Sequence, residues 1–168
     1  MSIQDAIRFT LPFEKGYWND PVGGPTMNGV TQATYDSFRR GEGVRLQSVR
    51  LIEPEELQAI MENLYWYPGH CEDLPRKLGV CHFDCFFNAD PKDSIKILQR
   101  TLGVAADGDY GEVTQKAAQA ASDDLCEAYI GFREVFYREL ASKKQAWAND
   151  LAGWLNRLDE LKQYLTTL

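Results

Sequence analysis

The chain has 168 residues, of which 44% are hydrophobic, and its formal net charge at pH 7 is −7. This length suits one globular unit, or one unit with a small appended subdomain, whose core needs no disulfide staples. The acidic balance argues against proteins that bind nucleic acid or anionic lipid, because such binding depends on clustered lysine and arginine. We therefore expect no nucleic-acid partner and no membrane partner, and a neutral or mixed-charge polymer fits better.

The N-terminal segment lacks the features of a secretory signal, since no basic stretch precedes a long apolar run. No part of the sequence approaches the roughly 20 apolar residues that span a bilayer. We expect a monomer that is made in the cytoplasm without a signal peptide. If its target lies outside the membrane, we expect that something else must release it.

In chain order, the sequence opens with an apolar face spaced for a helix that ends near Pro12. Residues 14–30 are rich in glycine and proline, which predicts a loop with room for a short hairpin. Thr31 is placed to cap a helix that stops at Gly41. Residues 42–52 alternate loosely between apolar and polar side chains, a pattern typical of an extended strand.

The rest of the chain has the pattern of helices. Pro54 begins one helix, Asp73 caps the next, and Asp90 followed by Pro91 starts a third. Two long amphipathic helices end the sequence, and their apolar faces carry Leu125, Tyr129, Phe132, Phe136 and Leu140, then Trp147, Leu151, Trp154, Leu158, Leu161 and Leu165. The predicted class is mainly α, with at most a small β element in one of the two non-helical stretches.

Cysteine and histidine usage raises the question of a metal site. Zinc favours such ligands, and one short segment holds both histidines and three of the four cysteines: His70, Cys71, Cys81, His82 and Cys85. The spacing matches no standard zinc knuckle, so small buried thiols are the better interpretation. A disulfide formed after export is the lesser alternative. We predict no metal and no cofactor.

Glu14 lies where the first helix gives way to the glycine-rich loop. Burial against neighbouring aromatics would raise its carboxyl pKa, which a general acid needs to stay protonated near neutral pH. Asp20, on a wetter part of the loop, would stay ionised, and two carboxyls with separated pKa values are the working parts of glycoside hydrolysis. Thr26 offers a hydroxyl that can hold a water, and Gly24 leaves room for a ligand beside the backbone. An ordinary turn would explain the same residues without catalysis.

Three stretches carry a family resemblance. EKGYWNDPVGGPTMNGVTQATY, residues 14–35, resembles the signature of glycoside hydrolase family 108, lysozyme-like N-acetylmuramidases, in which E-G-G-Y precedes D-P-G-G-x-T and G-I-T. HFDCFFNADPKDSIKILQRTLGVAADGDYGEVT, residues 82–114, is similar to the family's F-D segment and the D-G-x-x-G-x-x-T that follows it. GWLNRLDEL, residues 153–161, looks like the terminal helix of the peptidoglycan-binding domain that accompanies these enzymes.

The resemblance implies a lysozyme-like, mainly α fold, with a catalytic region over residues 1–88 and a helical peptidoglycan-binding-like region over residues 89–168 packed on it. It implies that Glu14 is the general acid in cleavage of the β-1,4 bond between N-acetylmuramic acid and N-acetylglucosamine, with peptidoglycan glycan strands as the partner. Asp20 and Thr26 are the other predicted catalytic residues. The predicted substrate-binding residues lie in the same stretches: Tyr17, Gly24, Asn28, Tyr35 and Asp84.

Two other interpretations stay open at this point. One is a lysozyme-like fold that holds peptidoglycan without cutting it, and the other is a secreted antibacterial effector checked by an immunity partner. For the enzyme, either a water held by Thr26 or Asp20 attacks the anomeric carbon, or a carboxylate does so first. Retention or inversion depends on a carboxyl separation that sequence does not supply.

Overall fold

The computed structural model describes residues 3–14, 16–20 and 24–168, without the side chain of Asp20. Within these residues the α-helices are α1 (Ile3–Thr10), α2 (Gln32–Gly41), α3 (Pro54–Met61), α4 (Arg76–Asn88), α5 (Pro91–Leu102), α6 (Glu112–Gln119), α7 (Cys126–Lys143) and α8 (Gln145–Leu165). The strands are β1 (Tyr17–Asp20), β2 (Gly24–Met27) and β3 (Val30–Thr31). Shorter helical turns are Leu11–Phe13, Val49–Leu51, Glu62–Trp66, Cys71–Asp73 and Asp123–Leu125. The prediction of a mainly α fold with a small β element is confirmed.

The strands form one antiparallel sheet in the order β1-β2-β3. Met27 on β2 pairs with Val30 on β3, which leaves Asn28 and Gly29 as a two-residue turn. Both turn residues have positive φ, 50° and 79°. An Asn-Gly pair favours this kind of hairpin turn, because both residues tolerate a left-handed backbone. The sheet therefore folds the glycine-rich segment back towards the end of α1.

Local capping signals fix several helix ends as the sequence predicts. The Thr31 side chain accepts a hydrogen bond from the backbone N–H of Thr34 at the start of α2. Asp90 accepts one from the backbone N–H of Lys92, with proline as the first residue of α5. Gly103 ends α5 with a left-handed backbone, φ 72°.

Helix α4 forms the centre of the core. Every residue from Leu78 to Phe86 is buried, and α4 packs against α1, α5 and α7. Helices α7 and α8 pack closely along each other. The end of α4 thereby meets the end of α1 and the middle of α8, and this junction positions the site described below.

Two predictions about local structure are wrong. Residues 42–52 form no strand in the structure, since Val44 and Leu46 are exposed and no neighbouring strand pairs with them. Asp73 does not cap α4, which begins only at Arg76, after Pro75 in an extended conformation. The Asp73 carboxylate instead accepts hydrogen bonds from Tyr110, Gln115 and Gln119, and so ties the start of α4 to α6 and the loop before it.

The cysteines are buried and unbridged, as expected of small core side chains: Cys71, Cys81, Cys85 and Cys126. Among the described residues, no three His, Cys, Asp or Glu side chains are grouped as ligands for a metal ion. No helix in the described part of the chain combines the length and the apolar character that a membrane crossing requires.

Candidate active site

Glu14 stands at the junction between the helical core and the sheet. It follows the turn Leu11–Phe13 in an extended conformation, and its backbone N–H donates to the Leu11 carbonyl at 2.9 Å. Its backbone carbonyl accepts from Gly16 N–H, also at 2.9 Å. These two bonds fix the backbone on both sides of the carboxyl. The predicted position of Glu14, where helix gives way to loop, is confirmed.

The carboxyl of Glu14 is partly enclosed, with 24% of the side chain exposed. The guanidinium of Arg157 faces it, with Nη1 at 4.0 Å from Oε1, which is too far for a hydrogen bond. Burial raises the pKa of Glu14, the guanidinium of Arg157 lowers it, and the charge of Asp84 raises it again. The sum is a raised pKa, because burial, the largest of these effects, disfavours the charged carboxylate.

Aromatic side chains form the apolar wall beside this carboxyl. The rings of Tyr65 and Phe87 lie 4.7 Å apart. Burial and the charge of Glu14 both raise the pKa of Tyr65, which places its hydroxyl within electrostatic reach of the carboxyl. A side chain on Gly29 would begin 2.7 Å from Phe87 Cζ and 3.5 Å from Glu14 Oε2. Gly29 therefore lets the turn approach the ring and the carboxyl closely.

Asp84, near the end of α4, is a fully occupied buried carboxylate. Its Oδ1 accepts hydrogen bonds from the Thr10 hydroxyl at 2.9 Å and from Arg157 Nη2 at 2.6 Å. Its Oδ2 accepts from Arg133 Nη1 at 2.7 Å. Burial alone would raise the pKa of Asp84, but the two guanidinium groups outweigh it and lower the pKa below its ordinary value.

The structure thus leaves no surface of the Asp84 side chain open to a substrate, and its predicted substrate-binding role stays a prediction. The side chain has no exposed surface, and the Thr10 hydroxyl and two arginine side chains occupy both oxygens. Asp84 binds the same guanidinium that lies near Glu14. A guanidinium that binds one carboxylate at 2.6 Å reaches the other only at 4.0 Å.

Tyr35 is likewise buried and not available to a ligand. Its hydroxyl donates to Glu56 and accepts from Arg39 and Gln47, so it joins α2 to the start of α3 and to the irregular segment between them. Its predicted role in substrate binding stays a prediction, as does that of Asp84. What the structure shows for Tyr35 is this buried network of hydrogen bonds.

The remaining predicted residues lie together on the hairpin beside Glu14. The Thr26 hydroxyl donates to the carbonyl of its cross-strand partner Trp18 at 3.1 Å. Tyr17 is partly exposed, with the Arg50 guanidinium 3.7 Å from its ring centroid. Gly24 has open space where a side chain would start, and Asn28 is anchored by its N–H to the Gly16 carbonyl. The side chain of Asp20 lies outside what the structure describes, so its predicted role stays a prediction.

Sequence reasoning missed the two arginines that complete the site. Arg133 is fully buried in α7, and its Nε also donates to the Tyr137 hydroxyl at 2.8 Å. Arg157, in α8, also packs over the Phe13 ring at 4.3 Å. One available signal was the spacing of Tyr129, Arg133 and Tyr137, which puts a cation on one face of α7 with two aromatics. Arg157 gives no comparable signal.

Comparisons with known proteins agree with this architecture. Residues 7–89 match the family Glycosyl hydrolase 108, and residues 93–159 match a family described as "Predicted Peptidoglycan domain". No curated protein matches the sequence. Among solved structures, the chain is similar to SagA of Brucella abortus, with 22% identity, a TM-score of 0.73, and coverage of 98% of this chain and 94% of that one. The shared fold supports the predicted lysozyme-like, mainly α architecture.

Proposed function

The chain belongs to glycosyl hydrolase family 108, and from that membership we propose that it cleaves the β-1,4 bond between N-acetylmuramic acid and N-acetylglucosamine, with Glu14 as general acid. Membership makes the chain a glycoside hydrolase, and the second matched region points to peptidoglycan as its partner. We further propose that it acts as a monomer at the cell wall, after release from the cytoplasm.

The observation that carries the proposal is the contrast between Glu14 and its surroundings. Glu14 is partly buried beside aromatic rings, its pKa is raised, and the guanidinium of Arg157 lies 4.0 Å away. A carboxyl in such a place keeps its proton at higher pH than an ordinary glutamate and can still reach a substrate, because part of it is exposed. Asp84 offers no second catalytic carboxylate, since it is buried and fully paired.

In the proposed reaction, Glu14 gives its proton to the glycosidic oxygen as the bond from that oxygen to the anomeric carbon breaks. A water held near Thr26 or Asp20 then adds to the anomeric carbon, and its proton passes to a carboxylate, either that of Asp20 or that of the now deprotonated Glu14, so that the net charge is unchanged. The Thr26 hydroxyl proton is engaged with Trp18, so this side chain would hold a water as an acceptor.

Replacement of the Glu14 carboxyl by an amide tests the proposal. Glu14→Gln keeps the size of the side chain and removes the acid, and we expect hydrolysis of purified peptidoglycan to fall by roughly 10²–10⁴-fold while sedimentation with the wall persists. Glu112→Gln, at an exposed position on α6, is the matched control and should change nothing. Soluble products are analysed by mass spectrometry with and without borohydride reduction.

Each outcome has a definite meaning. Reducible muramic-acid ends from wild type but not from Glu14→Gln support a muramidase that works through Glu14. Products without a reducing end would replace the hydrolase with a lytic transglycosylase at the same carboxyl. If neither protein releases glycan while wild type still sediments with the wall, the enzyme proposal fails and a binding module remains.

A further inference from the structure

A second concave site shares Arg157 with the surroundings of Glu14. It has a volume of about 440 Å³, within the range of roughly 300–1,000 Å³ that is typical of ligand pockets. It opens between the start of α5 and the paired helices α7 and α8. Its walls include Asn88, Asp93, Phe136, Trp147, Trp154 and Arg157.

The wall of this pocket combines aromatic surfaces with polar groups. Trp147 and Trp154 are both partly exposed within it. Trp154 is held against the buried Tyr137, with ring centroids 5.1 Å apart. The Nζ of Lys144 lies 4.2 Å from the ring centroid of Trp147, so a cation steadies that ring. Large rigid rings that folding has left partly open in a concave site are favourable contact surfaces for a ligand.

The polar members of the wall are two acids, an amide and Arg157, whose guanidinium is already bound by the buried Asp84. Asp90 and Asp93 bring two carboxylates, and Asn88 is fixed by donating to the Asp84 carbonyl at 2.7 Å. Carboxylates and amides accept and donate hydrogen bonds to hydroxyl and acetamido groups. The same carboxylates disfavour a phosphate-bearing or otherwise anionic ligand. The chemistry of the wall therefore fits a neutral sugar.

Arg157 ties this pocket to the site of cleavage. The side chain that lines the pocket also lies 4.0 Å from Glu14 and binds Asp84. A glycan strand that presents one bond to Glu14 must extend along the surface on both sides of it. Because Arg157 belongs to both places, the pocket is positioned to receive a part of that strand.

We propose that this pocket, the Trp147 pocket, binds an N-acetylglucosamine unit of the glycan strand next to the cleaved bond. The proposal rests on the proposed function for the identity of the polymer. The acids favour N-acetylglucosamine over N-acetylmuramic acid, because the lactyl group of the latter leads into a stem peptide that carries carboxylates.

The probe that tests this is tetra-N-acetylchitotetraose, a soluble, neutral β-1,4 oligomer of N-acetylglucosamine. Binding is measured by calorimetry on the full chain carrying Glu14→Gln, which prevents turnover. We expect Trp147→Ala to weaken binding about tenfold, as loss of one aromatic surface would, and Trp147→Phe to retain part of it. Phe132→Ala removes an exposed aromatic of α7 that does not line the pocket, and should leave binding unchanged.

Two further readouts keep the result decisive. Trp147 is chosen over Trp154 because Trp154 packs on Tyr137, and equal melting temperatures of the Ala and Phe variants separate lost binding from lost folding. Asp93→Asn should reduce the preference for the neutral probe over a muramic-acid oligomer. Asp93 is 40% exposed, and its contact with Lys96 is a loose 3.8 Å, so the fold should tolerate the change.

Unchanged affinity for the probe in Trp147→Ala would overturn the proposal. Displacement of the probe by a stem peptide alone would also overturn it, because the pocket would then bind peptide and not sugar. The proposed function can fail separately. If Glu14→Gln hydrolyses peptidoglycan as fast as wild type, Glu14 is not the acid, while the binding results for Trp147 keep their meaning when mass spectrometry finds the probe intact after the titration.

Discussion

Glu14 and Asp84 are two carboxyls near the same arginine, yet they differ in exposure and in hydrogen bonding. Asp84 has no exposed surface and accepts hydrogen bonds from Thr10, Arg133 and Arg157. Glu14 is partly exposed and has the same Arg157 only at 4.0 Å. The pKa of Asp84 is lowered and that of Glu14 is raised. A carboxyl is thus available for proton transfer where its charge is left unsatisfied, and it supports the fold where its charge is saturated.

The contacts of these two carboxyls also connect the two matched regions of the chain. Glu14 and Asp84 lie in the range that matches the hydrolase family, and Arg133 and Arg157 lie in the range that matches the peptidoglycan domain. The second region therefore supplies part of the electrostatic setting of Glu14. The division at residue 88 stays a prediction, and the buried ion pair across it argues for one folding unit.

The largest expected effect comes from removal of the buried charge of Asp84. Asp84→Asn leaves Arg133 fully buried without its counter-ion, which costs about 3–5 kcal/mol of the free energy of unfolding. Urea unfolding followed by circular dichroism measures this loss. Asp159→Asn, at an exposed aspartate of α8, is the control and should change stability by less than about 0.5 kcal/mol.

The loss of stability in Asp84→Asn should also depend on pH. The pKa of Asp84 is lowered in the folded chain, so its contribution to stability is complete above its ordinary value of 3.8 and is lost as pH falls through the folded value. The stability difference between wild type and Asp84→Asn should therefore shrink under acid conditions. A constant difference at all pH values, or no difference at neutral pH, would mean that Asp84 is not the structural carboxyl.

The next effect tests the arginine that the two carboxyls share. Arg157 lowers the pKa of Glu14, so Arg157→Gln should raise that pKa further and move the alkaline limb of the kcat/KM profile to higher pH. Arg157→Lys keeps the charge and should stay close to wild type. The loss of one hydrogen-bonded partner of Asp84 should also cost about 1–3 kcal/mol of stability.

The pH at which the alkaline limb falls distinguishes a changed pKa of Glu14 from a general loss of folding or binding. Weaker folding or weaker sugar binding lowers the rate without moving the limb. Arg138→Gln, which removes an exposed arginine paired only with Glu134 in α7, is the matched control. If the alkaline limb of Arg157→Gln stays at the wild-type pH, the contrast between the two carboxyls fails. The pKa of Glu14 would then not depend on the arginine that binds Asp84.

Elements with local signals could be predicted from the sequence. Thr31 and the Asp90–Pro91 pair cap helices as expected, because each acts on backbone groups within three residues of itself. The position of Glu14 was also predictable, since the end of a helical pattern and the start of a glycine-rich loop are both local. The Asn28–Gly29 turn follows from the same kind of short-range preference.

What the sequence did not reveal is set by contacts between distant residues. Asp84 meets Arg133 and Arg157 across 49 and 73 positions, and no local pattern reports such a pairing. The apolar face predicted for α7 included Phe132, which is 36% exposed, while Arg133 beside it is fully buried. A fully paired cation can occupy a core position that hydrophobic periodicity assigns to an apolar side chain.

The smallest effect probes the Glu14 side of the comparison through Gly29. The backbone there has φ 79°, and a side chain would begin 2.7 Å from Phe87 Cζ. Gly29→Ala should cost about 1–3 kcal/mol of stability through strain and overpacking. It should also lower kcat, because the displaced Phe87 ring and the turn both border Glu14. Urea unfolding and peptidoglycan hydrolysis measured on the same preparation give both numbers.

Gly153→Ala on α8 is the matched control for Gly29→Ala. It meets no atom within 4 Å in ordinary helical backbone, so it should leave hydrolysis unchanged and raise stability by about 0.5–1 kcal/mol. A loss of stability in Gly29→Ala with a gain in Gly153→Ala would show that the enclosure of Glu14 depends on the close approach of the turn. If Gly29→Ala retains both full stability and full activity, the carboxyl is less enclosed than its raised pKa requires, and the contrast with Asp84 loses its physical basis.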